Sequence, residues 1–354
     1  MSSTGTKGAS ARGAWAERRR GVKPAAISVS GEELVRLSAL EDGGRLPLVV
    51  EPLVEGLSLP LWAADHVDFI ESHLLTHGGL LFRGFDVRAR ADFESFLDAL
   101  GLPPMVYMEA ATPRTKLSEK VYTSTEFPPE QTIALHNELS YVSTFPMKIM
   151  FCCLQPAERG GETPIGDVRR VYARVPASVR ERFAEHGWAL VRNFGFGFGP
   201  TWQHSYHVED EAAAERYFRE SGIEFEWLGG GRLRTRQVRS VTATHPRTGE
   251  TVWFNHVAFW HASSLDPHLR EMLLAEYGEE GLPYNTYYGD GTPIEESVVE
   301  ELREAYQQET VAFPWRQGDV LMLDNMLTAH GRGSFEGRRV VLAAMGEPRR
   351  RAEV

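Results

Sequence analysis

The chain has 354 residues, 49 acidic against 38 basic side chains, a net charge of −11 and 42% apolar residues. That balance excludes global disorder and argues against nucleic acid as the main partner, which would need a basic face. The two cysteines, Cys152 and Cys153, are adjacent, which excludes a disulfide framework and fits a reduced, cytoplasmic setting.

The small, polar and basic residues 1–25 read as a disordered tail that lacks the apolar core of a signal peptide. No apolar run reaches membrane-spanning length. "LWAADHVDFIESHLLTHGG" has helical apolar spacing and stops at Gly78-Gly79. "GLLFRGFDV" follows as a buried strand and "ARADFESFLDALG" as a short helix. Residues 103–132 read as a long loop of the kind that forms lids or binding loops. "TIALHNELSY" and "FPMKIMFCCLQP" read as successive strands, the second presenting its two cysteines to opposite faces.

"VPASVRERFAEHG" and "EAAAERYFRESG" read as helices, and the stretch from "FEWLGGG" to "VWFNHVAFW" as a sheet with glycine turns. Thr292, Pro293 and Glu295 form the pattern of a capping box before another helix. "TVAFPWRQGDVLMLDN" and "GRRVVLAAM" are strong strands, and 347–354 reads as a frayed tail. Strands at both ends, helices between them and no βαβ alternation predict a mainly β fold with α insertions around a jelly-roll core. Residues 26–346 form one domain with a helical insertion at about 168–310.

His136 and Glu138 lie two apart in a predicted strand, so they share a face and suit a borderline metal such as Fe(II). His330, just past an apolar strand, supplies a third ligand if the fold brings it there. His66, His73, His186 and His268 sit in helical or loop contexts. On the residues alone, a zinc hydrolase with a metal-bound water remains open, as does an inactive jelly-roll binding protein.

"LHNE", "GGET", "FPWRQGDVLMLDNMLTAHGR" and "GRR", in that order, resemble the TauD/TfdA family of Fe(II)- and 2-oxoglutarate-dependent dioxygenases, most closely the clavaminate synthase-like and SyrP-type branch. The resemblance covers roughly 45–346. It implies a metal triad of His136, Glu138 and His330, with 2-oxoglutarate held by Thr163 and Arg339 in preference to Arg338. It further implies O2 as co-substrate, and succinate and CO2 as products of 2-oxoglutarate. Glu138 argues against chlorination, because halogenating relatives lack that carboxylate; hydroxylation, desaturation and cyclisation remain. The implied substrate is an amino acid or its derivative, taken in natural-product biosynthesis. Substrate-facing candidates are Asn137, Ser140, Tyr141, Asn255, His256 and Arg332, and "YNTYYGDGTPI" resembles a loop near the pocket entrance. Relatives place a substrate-binding arginine four residues after the 2-oxoglutarate arginine, where Ala343 stands here. A substrate masked as a peptidyl-carrier thioester would not need it.

Overall fold

The computed structural model describes residues 34–40, 44–105, 109, 114–125, 127–197 and 199–354. The expected N-terminal tail lies outside them. Strands β1 (Val35–Ala39) and β2 (Leu48–Pro52) lead into α1 (Leu59–Ala64) and α2 (Val67–His77). The single helix expected here is two, broken at Asp65-His66. Next come β3 (Gly79–Phe82), α3 (Arg90–Ala99), β4 (Val121–Thr123), β5 (Ile133–His136), β6 (Thr144–Gln155), β7 (Arg159–Gly160) and β8 (Ile165–Asp167).

The middle of the chain holds α4 (Val168–Arg174), α5 (Ala177–His186), β9 (Trp188–Phe194), α6 (Trp202–Tyr206), α7 (Glu211–Ser221), β10 (Glu224–Gly229), β11 (Arg232–Arg239), β12 (Thr242–Thr244) and β13 (Thr251–Trp253). It continues through α8 (Val257–Trp260), α9 (Pro267–Tyr277), β14 (Tyr284–Tyr288) and α10 (Glu296–Gln308). The insertion is therefore not purely helical: β10-β11-β9-β14 form a sheet of their own, and β12 pairs with β13. "YNTYY" is a strand of that sheet and not a loop. The end of the expected strand run, "VAFW", is helical. The capping box does not form, since α10 starts at Glu296 and Thr292 instead donates to Asp290 at 2.7 Å.

The chain closes with β15 (Thr310–Val311), β16 (Val320–Asp324), β17 (Thr328–Arg332), β18 (Phe335–Glu336) and β19 (Val340–Arg350). The seven-stranded sheet β1-β2-β3-β16-β6-β19-β4 faces the four-stranded sheet β15-β8-β17-β5. The expected frayed C-terminus is contradicted, because β19 stays paired with β6 as far as Arg350↔Thr144 and the Arg351 amide donates to Ser143.

Strand alternation explains how the large sheet is buried on both sides. Ile149, Phe151 and Cys153 of β6 join the core between the sheets with Leu321, Leu323 and Ile165. Met150 and Cys152 join the second core beneath α1–α3 with Phe82, Phe93 and Phe96. Burial pushes both thiols up, Cys153 to about 12, so both are packing residues. Gly78 closes α2 with φ 79°, and a Cβ there would stand 2.5 Å from Thr328 Oγ1, so glycine alone lets the helix end against β17. Among the described residues no helix is long and apolar enough to cross a membrane.

Leu321 is fully buried between β3 and β6. We expect Leu321→Ala to lower stability by about 2–5 kcal/mol through lost transfer energy and a residual cavity, with urea denaturation as the measurement.

Candidate metal centre

The antiparallel pairing of β17 with β5 sets His330 directly opposite His136, with ring centroids 4.5 Å apart. Their positions differ by 330 − 136 = 194 residues, so only the closure of the smaller sheet makes them neighbours. β5 ends at His136, and Glu138 lies in the turn that follows, where Leu139 takes φ 55°. The strand pleat expected to align His136 with Glu138 is thus absent at Glu138. Asn325, at the turn between β16 and β17, aims the carboxylate instead. Its Oδ1 accepts from the Glu138 amide at 2.7 Å, its Nδ2 donates to the carbonyls of Glu138 and Pro146, and its own carbonyl accepts from Asn137 Nδ2.

One ligand atom from each of His136, Glu138 and His330 lies within 4.8 Å of the others, and His330 Nε2 is 3.5 Å from Glu138 Oε2. Octahedral ligands at about 2.1 Å from an ion stand about 3 Å apart, so modest closure would let the three share one cation. His136 Nδ1 lies 2.9 Å from the Ala134 carbonyl, which fits an Nδ1–H donor and leaves Nε2 as a lone-pair ligand. Burial, reinforced by the neighbouring His330, pushes His136 down to about 3. Burial alone would raise Glu138, but Arg114 above all, with the two histidines, holds it below the usual carboxylate range. The donor set is therefore neutral imidazole and ionised carboxylate, the state a divalent cation requires. Arg114 Nη2 meets Glu138 Oε2 at 2.7 Å with both side chains buried.

The same pocket is lined by Ser124, Thr125, Phe151, Thr163, Arg332 and Arg339. Arg339 precedes β19 and lines the pocket, while Arg338 is exposed. Arg339 Nε donates to the Gly161 carbonyl at 2.8 Å, Nη1 to Ser124 Oγ at 3.2 Å and Nη2 to Thr163 Oγ1 at 3.5 Å. Burial, with Arg332 nearby, lowers Arg339 to about 10. No carboxylate among the described residues pairs with it. Thr163 also accepts from Trp315 Nε1 at 3.2 Å.

The substrate-facing candidates divide. His256 lies 5.5 Å from the His136 ring, its Nδ1 2.6 Å from Ser140 Oγ, and Tyr141 packs edge-on to it at 4.9 Å. Asn137, Asn255 and Arg332 are bracing residues. Asn255 donates to the Val241 carbonyl and accepts from the Val257 amide. Arg332 braces the loop before β5, donating to the carbonyls of Thr125, Phe127, Pro128 and Gln131, and its guanidinium stands 5.3 Å from the Phe335 ring in the segment after it. Sequence reasoning missed Arg114, Asn325 and Phe259, whose ring sits 4.9 Å from His136. Asn325 stood inside the quoted "LDNM" with no periodicity to mark it.

The family model described as "Taurine catabolism dioxygenase TauD, TfdA family" matches residues 47–345. The chain belongs to the TauD/TfdA family. As a TauD/TfdA dioxygenase it is 39% identical over 279 residues to dapdiamide synthesis protein DdaC of Enterobacter agglomerans, covering 79% of this chain and 85% of that protein. It is 31% identical to a clavaminate synthase-like protein of Arabidopsis thaliana over 84% of this chain and 93% of the relative. PvcB, described as an Fe, alpha-ketoglutarate dependent oxygenase from an isonitrile synthetic pathway, shares the fold with TM-score 0.54 at 18% identity. That match covers 94% of this chain and 98% of PvcB. The jelly-roll expectation agrees with these TauD/TfdA neighbours.

Asn325→Ala would leave the Glu138 amide and two buried carbonyls without their partner, at about 1–3 kcal/mol each. We expect a large drop in the midpoint of urea unfolding with the transition still cooperative.

Proposed function

We propose that the protein is an Fe(II)- and 2-oxoglutarate-dependent oxygenase that hydroxylates an unactivated C–H bond of an amino acid or amino-acid derivative in natural-product biosynthesis. The observation that carries this reading is the pairing, in one pocket, of a convergent His136–Glu138–His330 set with a half-buried Arg339 guanidinium that has no carboxylate partner among the described residues. Two histidines and one carboxylate would hold iron on one face and leave the other positions open. Arg339 matches a carboxylate in bidentate fashion, and Thr163 adds a hydroxyl beside it. When bound, the iron and 2-oxoglutarate supply oxidising power from O2, with succinate and CO2 as by-products.

The chain's own residues orient and exclude. Asn325 aims Glu138, the Ala134 carbonyl fixes the ring of His136, and Phe151 and Phe259 pack against His330 and His136. Arg114 offsets the charge of Glu138 through one carboxylate oxygen. A zinc hydrolase would leave Arg339 and Thr163 without a task. The names of the dapdiamide, clavaminate-like and isonitrile-pathway relatives support a biosynthetic setting. Ala343, fully buried on β19, provides no anchor for a substrate acid group, so carrier-thioester and free forms are both to be assayed.

The test is anaerobic addition of Fe(II) and then 2-oxoglutarate, read by visible absorption. A weak charge-transfer band is expected, absent in His330→Ala and weakened in Arg339→Ala. No band together with stoichiometric Zn(II) would overturn the reading in favour of a hydrolase. His136→Ala is expected to abolish turnover while keeping a cooperative unfolding transition, since the core does not depend on the metal. Product mass then separates hydroxylation, one oxygen added, from desaturation or cyclisation, two hydrogens lost.

A further inference from the structure

Beyond the metal centre, one aromatic layer away, lies a second buried polar cluster that the dioxygenase reading does not use. Arg192 on β9 is 5% exposed and makes no ion pair among the described residues. Its guanidinium carbon is 4.8 Å from the Phe194 ring, 5.7 Å from Tyr206 and 5.6 Å from Trp260. Nη2 donates to Ser205 Oγ at 3.3 Å, while Nη1 has no hydrogen-bond partner. Glu109 is fully buried; Oε1 accepts from Tyr217 at 2.6 Å and Oε2 has no partner. The indole N–H of Trp260 is also without a partner.

These orphaned atoms belong to one closed ring of contacts. Trp260 packs on Arg192 and, at 5.9 Å, on Tyr141. Tyr141 donates to the Glu109 carbonyl at 2.7 Å, Glu109 binds Tyr217, and Tyr217 packs on Tyr206 beside Arg192. Buried polar atoms are nearly always satisfied, and each one left unmade costs about 1–3 kcal/mol. Two donors and one acceptor are left open in a single ring that holds a buried cation and a carboxyl with no ion pair between them, the set of charges that matches a molecule carrying both. Burial pushes the Glu109 carboxyl up, against the pull of Tyr217 and Arg192, and a ligand ammonium would add to that pull. The ring also faces the metal: Tyr141 packs on His256 and Trp260 on Phe259, and both His256 and Phe259 lie against His136.

We propose that Arg192, Trp260 and Glu109 form the head-group site for a free α-amino acid, Arg192 and the Trp260 N–H taking the carboxylate and Glu109 the ammonium. This rests on the oxygenase reading for its placement one aromatic layer from the reacting centre. It supplies from β9 the acid-binding arginine that is absent at Ala343, and it excludes an aminoacyl thioester, whose carboxyl is masked.

The test is thermal unfolding of the full chain, kept anaerobic with Fe(II), with each common L-amino acid, then with the α-amide and N-acetyl forms of the best one. At least one free amino acid should raise Tm by about 5 °C when present about a hundredfold above its Kd. The rise should vanish for both blocked forms, in Arg192→Met and in Glu109→Gln, and return in part in Arg192→Lys. A structural arginine would give no such dependence on the head group. The inference is overturned if no amino acid raises Tm, if the amide acts as well as the acid, or if Arg192→Met keeps the response. Stronger turnover of the thioester than of the free acid would also overturn it. The charge-transfer band of the unaltered protein keeps the two readings apart. A band without amino-acid binding sinks only the head-group site. Binding without a band leaves the site standing and sinks the oxygenase.

Discussion

The antiparallel closure of β17 on β5 is the constraint from which the rest of the centre follows. It sets two histidines from distant parts of the chain opposite one another by backbone pairing, which brings their rings to 4.5 Å. The carboxylate between them is not on either strand. It is delivered by a turn that Asn325 clamps to the turn between β16 and β17. Both turns are hydrogen-bonded to each other, which ties the carboxylate to the strand that carries His330. This is the rigid support that a metal centre demands, because ligands displaced by an ångström lose their common focus.

Electrostatics reinforces that geometry. A carboxylate and two imidazoles buried together would normally neutralise by taking up or losing protons. Here Arg114 keeps Glu138 ionised, while burial keeps His136 unprotonated. The interior of the acidic protein is locally cationic: Arg114, Arg332 and Arg339 all line the pocket. The negative net charge belongs to the surface and gives no guide to what the centre attracts. A doubly negative co-substrate suits such a pocket, and with Arg338 exposed beside Arg339 one step along the chain decides which guanidinium faces it.

Much of the arrangement was legible in the sequence. Apolar runs marked β6, β16 and β19, glycines marked the ends of α2, α5 and α7, and ordered motifs marked His136, Glu138, His330, Thr163 and Arg339. What escaped was whatever depends on tertiary partners. The pleat argument for Glu138 failed because the strand stops two residues earlier, although its conclusion of convergence held for another reason. Thr292 bonded to Asp290 and did not cap, as local side-chain competition allows. The C-terminal residues looked polar enough to fray, yet Arg351 reaches the buried carbonyl of Ser140. Arg192 and Glu109 gave no signal, since an arginine in a β-strand and a glutamate in a loop are ordinary until their burial is known.

Arg332 grips the loop before β5 solely through main-chain oxygens, those of residues 125, 127, 128 and 131. Carbonyls are the same whatever side chains they belong to. The wall of the pocket can therefore change its residues without changing its course, and it stays registered to the strand that carries His330. Such an arrangement permits relatives to diverge in what they accept while conserving the distance between wall and centre: the frame is written in backbone, and the selectivity in side chains that the frame does not need.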